Sequence, residues 1–286
     1  MKTVNSLSGG KTSSYIAANY PADANVFVLV RTDDKDCIFP DAKIRKIVSD
    51  RIGQEFIGTL EMNDIIYTML DLEQFIGQEI DWISPISFDK AIQRKEDKIW
   101  LPNKTMRFCT IEMKIKPIMN WWVTKFDKQP VEMRIGFRAN EQRRAKSMLE
   151  RCREDGFQYE KITFEKHKNG NNKWVEVAYR KPTFPLIEDG IFKDTIENYW
   201  KDKLVRFAYL NNCVGCFHRT PVLLKHMSNK SPNQFDWFVK QEEHSGNYNN
   251  AQFKTGMTYR QIKNGLEQLQ LFDDDFNDCD SGYCGL

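Results

Sequence analysis

The spacing of apolar residues changes several times along this chain, and each change marks an element. Lys2 to Leu7 alternates in the manner of a short strand, and Tyr15-Ile16-Ala17-Ala18 opens a helix. Asn25 to Val30 is an unbroken valine-rich run, the pattern of a strand buried on both faces. Asp41 to Ile52 places Ala42, Ile44, Ile47, Val48 and Ile52 at helical spacing and stops at Gly53, which delivers the chain into a third expected strand, Glu55 to Leu60. Alternation of this kind predicts an α/β fold: a doubly wound, mostly parallel five-stranded sheet, with ligands outside the carboxyl ends of its strands.

Farther along, Asn63 to Ile76 has helical periodicity, Asp81-Trp82-Ile83 reads as extended, and residues 109 to 126 read as a helix that Pro117 either kinks or restarts. Val131 to Phe137 returns to a strand pattern. Tyr159 to Glu165 and Trp174 to Tyr179 flank Asn169-Gly170-Asn171-Asn172, a hairpin signature read as an insertion over about residues 157–181. Phe184-Pro185-Leu186-Ile187 is the expected last strand. Helical patterns follow at 191–203, 221–227, 232–243 and 258–269, so the expected division is an α/β part over 1–190 and a helical, cysteine-containing part over 191–286.

Composition narrows the partners. The chain has 286 residues, net charge +2 and pI near 8.1, so no overall field favours nucleic acid or an anionic membrane surface. It contains no apolar run long enough to span a bilayer and no apolar leader after Met1, from which a cytoplasmic protein without membrane contact is expected. In that compartment seven cysteines are expected as ligands, nucleophiles or buried hydrophobes, not as a disulfide framework.

Two kinds of chemistry stand out. Ser8-Gly9-Gly10-Lys11-Thr12-Ser13 lies between the first strand and first helix, where glycines let backbone approach a phosphate and the hydroxyls and helix N-terminus supply donors. Asn5 stands where a Walker A loop carries its first glycine, so the loop is of another type. Thr32 and Asp33 follow the second strand, at another carboxyl end. Four of the cysteines form two pairs, Cys213-Val214-Gly215-Cys216 and Cys279 with Cys284; Cys109 falls at the start of a helix, and Cys37 and Cys152 stand alone. Thiolate-only sets suit zinc or an iron–sulfur cluster, and a four-cysteine structural zinc site from the two pairs is the alternative to a site containing Cys109.

The glycine loop resembles the S-G-G-x-x-S loop of the PP-loop proteins. Together with Arg107-x-Cys109-Thr110-x-x-x-Lys114-x-x-Pro117, Gly136-x-Arg138-x-x-Glu141-x-x-Arg144 and the C-x-x-C pair, it resembles the phosphoadenosine phosphosulfate (PAPS) reductase family, most of all the reductase-like branch common in phage and mobile elements. That resemblance implies an adenine-nucleotide α-hydrolase-like fold that handles sulfur. Ser8, Gly9, Gly10, Lys11, Thr12, Ser13, Thr32, Asp33, Arg107, Arg138 and Arg144 would bind the nucleotide, either ATP or a sulfonucleotide. Arg138, Glu141 and Lys114 would serve the reaction together with Cys284, whose Cys-Gly-Leu setting resembles the family's catalytic tail. Cys109, Cys213, Cys216 and Cys279 would hold a [4Fe-4S] cluster or zinc. Thr12 stands where ATP-cleaving members carry Asp, which leaves Mg²⁺ without an expected carboxylate at that position. The implied partners are the nucleotide, a thiol reductant or sulfur donor and, in a second reading, a nucleic acid that is adenylylated and thiolated. A third reading is a nucleotide-sensing module without turnover.

Overall fold

The computed structural model describes residues 1–93, 98–245 and 251–265. In chain order the elements are β1 (Lys2–Leu7), α1 (Lys11–Asn19), β2 (Ala24–Val28), β3 (Arg31–Thr32), α2 (Ala42–Ile52), β4 (Gly58–Thr59), α3 (Asp64–Ile76), β5 (Ile80–Ile83), α4 (Phe88–Ile92), α5 (Phe108–Thr110), α6 (Lys116–Phe126), β6 (Val131–Arg134) and α7 (Gln142–Leu149). They continue as β7 (Gln158–Lys166), β8 (Asn172–Thr183), α8 (Pro185–Glu188), α9 (Lys193–Trp200), α10 (Pro221–Lys230), α11 (Pro232–His244) and α12 (Tyr259–Asn264).

Among the described residues the main sheet has six strands in the order β5-β2-β1-β6-β8-β7, parallel throughout except for the antiparallel edge strand β7. The chain builds from β1 outward through β2 to β5, then returns to the other side of β1 with β6 and β8. Strand order therefore reverses between β1 and β6, and in open parallel sheets that reversal opens a crevice at the carboxyl edge. One face of the sheet is covered by a core containing Leu7, Phe27, Ile16, Ile65, Met69, Ile196 and Trp200. The other packs Val4, Val26, Val131, Met133 and Ile135 on Ile118, Trp122, Ala145 and Met148 of α6 and α7. Apolar residues on both sides of β2 explain its continuous hydrophobic run.

Three expectations are corrected. Residues 55–60 do not supply the third sheet strand: Gly58 crosses so close to the Cys37 carbonyl that a Cβ there would lie 1.9 Å from its oxygen, and the segment pairs with Arg31-Thr32 and Ile38. The third parallel strand is Ile80–Ile83. Residues 184–187 are not a strand either, because Pro185, with fixed φ and no N–H, sits at the start of α8. The hairpin forms as expected but is not a mere insertion: Arg180 to Thr183 of β8 pair with β6 as the fifth parallel strand, and β7 makes a sixth.

A third core lies beyond the carboxyl edge. Val30, Leu60, Met62, Phe88 and Met113 join Val214, Phe217, Leu224, Trp237, Phe238, Phe253 and Tyr259 there, with Cys109 and Cys213 packed against the cluster.

Candidate functional site

The glycine loop sits at the carboxyl end of β1, on the crevice. Gly10 caps α1 with extended backbone and without a side-chain cap, so the first-turn amides of the nine-residue helix remain as anion donors. Gly9 has φ +78°, and a Cβ on it would come within 2.6 Å of Ile65 Cγ2. Ser13 Oγ donates to the Gly10 carbonyl (3.1 Å) and accepts from the Ser8 amide (3.2 Å), which closes the loop on itself. Ser8 Oγ lies 3.2 Å from the same Ser13 hydroxyl.

The loop is met by the segment after β6. A Cβ placed on Gly136 would lie 3.4 Å from Thr12 Cγ2 and 3.9 Å from the Ser13 nitrogen, so backbone here passes against the helix start. Two residues on, Arg138 is buried, and Glu141 holds it: Glu141 Oε2 accepts from the Arg138 amide (2.9 Å) and Nε (3.0 Å). Glu141 Oε1 accepts from Arg144, whose guanidinium lies 4.3 Å over the Phe137 ring, itself stacked on Phe184. Arg138 uses only Nε in this pair, and its two terminal nitrogens have no protein partner among the described residues. A guanidinium fixed at one edge and open at the other is suited to an oxyanion.

Other residues singled out in the sequence lie elsewhere or are engaged. The Lys11 ammonium pairs with Glu197 of α9, and its carbonyl accepts from Trp200 Nε1 at 3.0 Å. The Thr32 hydroxyl donates to Asp89 (2.7 Å), Asp33 accepts from Ser87 (2.6 Å) and pairs with Arg31, and Asp89 also accepts from Trp237 (2.8 Å). Thr32 and Asp33 thus tie β3 to α4 and α11. Lys114 lies 3.8 Å from the buried Glu61 carboxylate. Arg107 precedes α5 and is close enough to His218 to help burial hold that imidazole below its usual range.

The cysteines converge beyond the end of β2. A small pocket of about 30 Å³ is walled by Val30, Phe88, Met113, Phe217, Phe238 and Phe253, and Cys109, Cys213, Cys216 and Lys114 line it too. Cys109 arrives on α5, which runs through a π-helical turn over Ile111–Ile115 into α6. Pro117 explains that turn: it has no N–H for the Met113 carbonyl, and the wider winding carries the ladder past the gap. Cys213 arrives where Glu61 bridges to it and the Val214 amide donates to the Leu60 carbonyl (2.8 Å). The donor set is all sulfur and its walls are apolar, a chemistry that fits a soft metal. Among the described residues no group of three or more His, Cys, Asp or Glu side chains is placed to hold a metal ion. Cys279 and Cys284 lie outside the described residues.

Glycine loop and cysteine pocket are joined by residues that carried no sequence signal. A Cβ on Gly10 would fall 1.9 Å from Asn211 Nδ2, so Asn211 lies directly against the loop, two residues before Cys213. Glu61, Glu197 and Arg219 were equally silent, being single polar residues outside any motif. No protein-family model, curated protein or solved structure matches the chain. Among the described residues no helix is long and apolar enough to cross a membrane.

Proposed function

We propose that the chain is an adenine-nucleotide-binding enzyme of the PAPS reductase type that transfers or reduces sulfur. The observation that carries this reading is the pairing, on one sheet edge, of an anion-binding helix start with a buried arginine and of a sulfur-lined apolar pocket. The loop of Ser8, Gly9, Gly10 and Ser13 would take phosphate through backbone amides, and Arg138, aimed by Glu141, would meet the phosphate or sulfate oxygens. Arg144 shares Glu141 and would add a second positive charge beside Arg138. Lys11 would reach the phosphates only by exchanging Glu197 for them.

Cys109, Cys213 and Cys216 would hold zinc or an iron–sulfur cluster at the pocket, with a fourth ligand from Cys279 or from substrate. Such a centre supplies a sulfur-rich site of tunable charge beside the nucleotide. Lys114, at the pocket wall, would offset negative charge gathered there. Cys284 remains the proposed nucleophile, and a thiol reductant or sulfur donor the proposed co-substrate. Thr12 offers a hydroxyl and no carboxylate to Mg²⁺, which favours a sulfonucleotide over ATP cleavage.

The deciding experiment is anaerobic purification, with absorption spectrum and metal analysis, followed by mass spectrometry of the nucleotide retained. Sulfite or AMP release from a sulfonucleotide supports reductase chemistry. Pyrophosphate release from ATP supports adenylylation and thiolation of an acceptor such as nucleic acid, and binding without turnover supports a sensing module.

A further inference from the structure

The most heavily buried cation in the described residues is not at the glycine loop. Arg219 has no solvent exposure, and among the described residues it makes no ion pair with a carboxylate. Its guanidinium instead wraps the backbone of the C-x-x-C loop. Nε donates to the Cys213 carbonyl (3.3 Å), and Nη2 to the carbonyls of Asn212 (3.4 Å), Cys213 (3.2 Å) and Asn211. The third nitrogen, Nη1, is buried without a hydrogen-bond partner among the described residues. Asn212 takes a left-handed backbone (φ +67°) where these carbonyls turn inward, and the Cys213 carbonyl also accepts from the Cys216 amide at 3.1 Å.

A buried guanidinium bound only to neutral carbonyls keeps its full charge, and such a charge is costly unless an anion lies near. A second cation makes the imbalance worse. Lys254 Nζ donates to the carbonyls of Arg219 (2.9 Å) and Phe217 (3.5 Å), and burial holds its ammonium below the usual range. Two buried carboxylates of this region are engaged elsewhere: Glu61, which bridges to Cys213, lies 3.8 Å from Lys114, and Glu242 accepts from the amides of Phe253 (3.0 Å) and Tyr259 (2.6 Å). Arg219 itself lies against the backbone of the two cysteines, its side chain on the Cys213 carbonyl and its amide on the Cys216 carbonyl (3.0 Å). Tyr259 donates to the Gly215 carbonyl (2.9 Å) within the same loop, so a buried hydroxyl, the Arg219 clamp and both cysteines share one neighbourhood.

We propose that Arg219 is the resident counter-charge of an anionic sulfur centre at Cys213 and Cys216: it clamps the loop carbonyls while balancing the negative charge of thiolates bound to a soft metal ion or cluster. The proposal rests on the reading of the cysteine pocket as a sulfur centre and adds to it a positioning residue. Arg219 touches neither nucleotide nor sulfur donor.

The test titrates the metal-free, anaerobic full-length chain with Co²⁺ against a competing chelator and follows the sulfur-to-cobalt charge-transfer band. Arg219→Lys keeps the charge and loses most of the clamp, whereas Arg219→Gln keeps a polar head and loses the charge. Outer-shell partners of metal ligands are commonly worth about 10–100-fold in metal affinity, so Gln is expected to weaken Co²⁺ by about tenfold or more and Lys by no more than about threefold. Circular dichroism checks that each variant is folded. If Gln does not fold, the Lys variant decides alone: a loss beyond about tenfold overturns the proposal. Equal losses in the two folded variants, or none in Gln, also overturn it while leaving the sulfur centre standing. Absence of the band in the wild-type chain removes the sulfur centre itself and the proposal with it.

Discussion

Replacing Glu141 by Gln should damage both stability and nucleotide binding, by an amount that follows from its surroundings. The carboxylate and Arg138 are each about a tenth exposed, Arg144 about a quarter. Removing one member of a fully buried ion pair costs about 3–5 kcal/mol, and an exposed pair is worth less than about 1. With one arginine buried and the other partly screened, Glu141→Gln should lose about 2–4 kcal/mol in urea unfolding at neutral pH. Gln retains an oxygen for the Arg138 amide, but its NH₂ group faces a donor and Arg138 is left uncompensated. Adenine-nucleotide affinity, read by calorimetry under conditions where the variant is folded, should fall with it because Arg138 is no longer aimed. Arg143→Ala, two residues on and on the exposed side of α7, should stay within about 0.5 kcal/mol of wild type. A Glu141→Gln chain as stable as the Arg143→Ala control would refute the reasoning.

Other outcomes follow from the same geometry. Gly215→Ala would bring a Cβ to 2.4 Å from the Phe238 ring, so it should lower stability by about 1–3 kcal/mol in thermal melts, and a melt unchanged from wild type would count against this packing. Asp23 accepts from Lys2 (2.7 Å) and from the Thr3 amide (2.8 Å), and the Lys2 hydrogen bond is the largest influence holding its carboxyl down to about 2. Because the folded value lies below the unfolded value of about 4, the stabilisation is present above pH 4 and lost as pH falls toward 2. Asp23→Asn should therefore flatten the unfolding free energy across that window, and an unchanged slope would exclude the assignment. Cys37 is buried, and burial first, then Asp34 and Asp89, pushes its thiol up to about 12. It should resist alkylation at pH 8 in the native protein and react after unfolding, as peptide mapping would show.

The parts of this protein that were legible in the sequence are those whose signal is local. The βαβ opening follows from valine runs and glycine stops, and the hairpin from an Asn-Gly turn between alternating strands. Residues 55–60 misled because an apolar run reads alike whether it enters a sheet or is turned aside by one close backbone crossing at Gly58. Phe184 to Ile187 misled for the same reason, with Pro185 deciding for helix. Motif spacing singled out Arg138, Glu141 and the cysteines, and the fold brings the first two together and lines one pocket with Cys109, Cys213 and Cys216. It did not show that Thr32 and Asp33 are absorbed by Asp89 and Ser87, nor that Lys11 is paired with Glu197. Those partners lie 54 or more residues away in the chain, and only topology reveals them. Arg219 and Asn211 are the sharpest omissions, since their importance comes from what they cover and not from their type.

Adenine-nucleotide binding at the junction of β1 and β6 is the central claim, and titration calorimetry tests it most directly. Wild-type protein should bind ATP or adenosine phosphosulfate one to one, with GTP as the control that binds more weakly. Arg138→Gln should weaken that binding by about 30-fold or more, the equivalent of losing a charge-assisted contact of about 2 kcal/mol. No heat with either adenine nucleotide, or full affinity retained in the folded Arg138→Gln chain, would contradict the account.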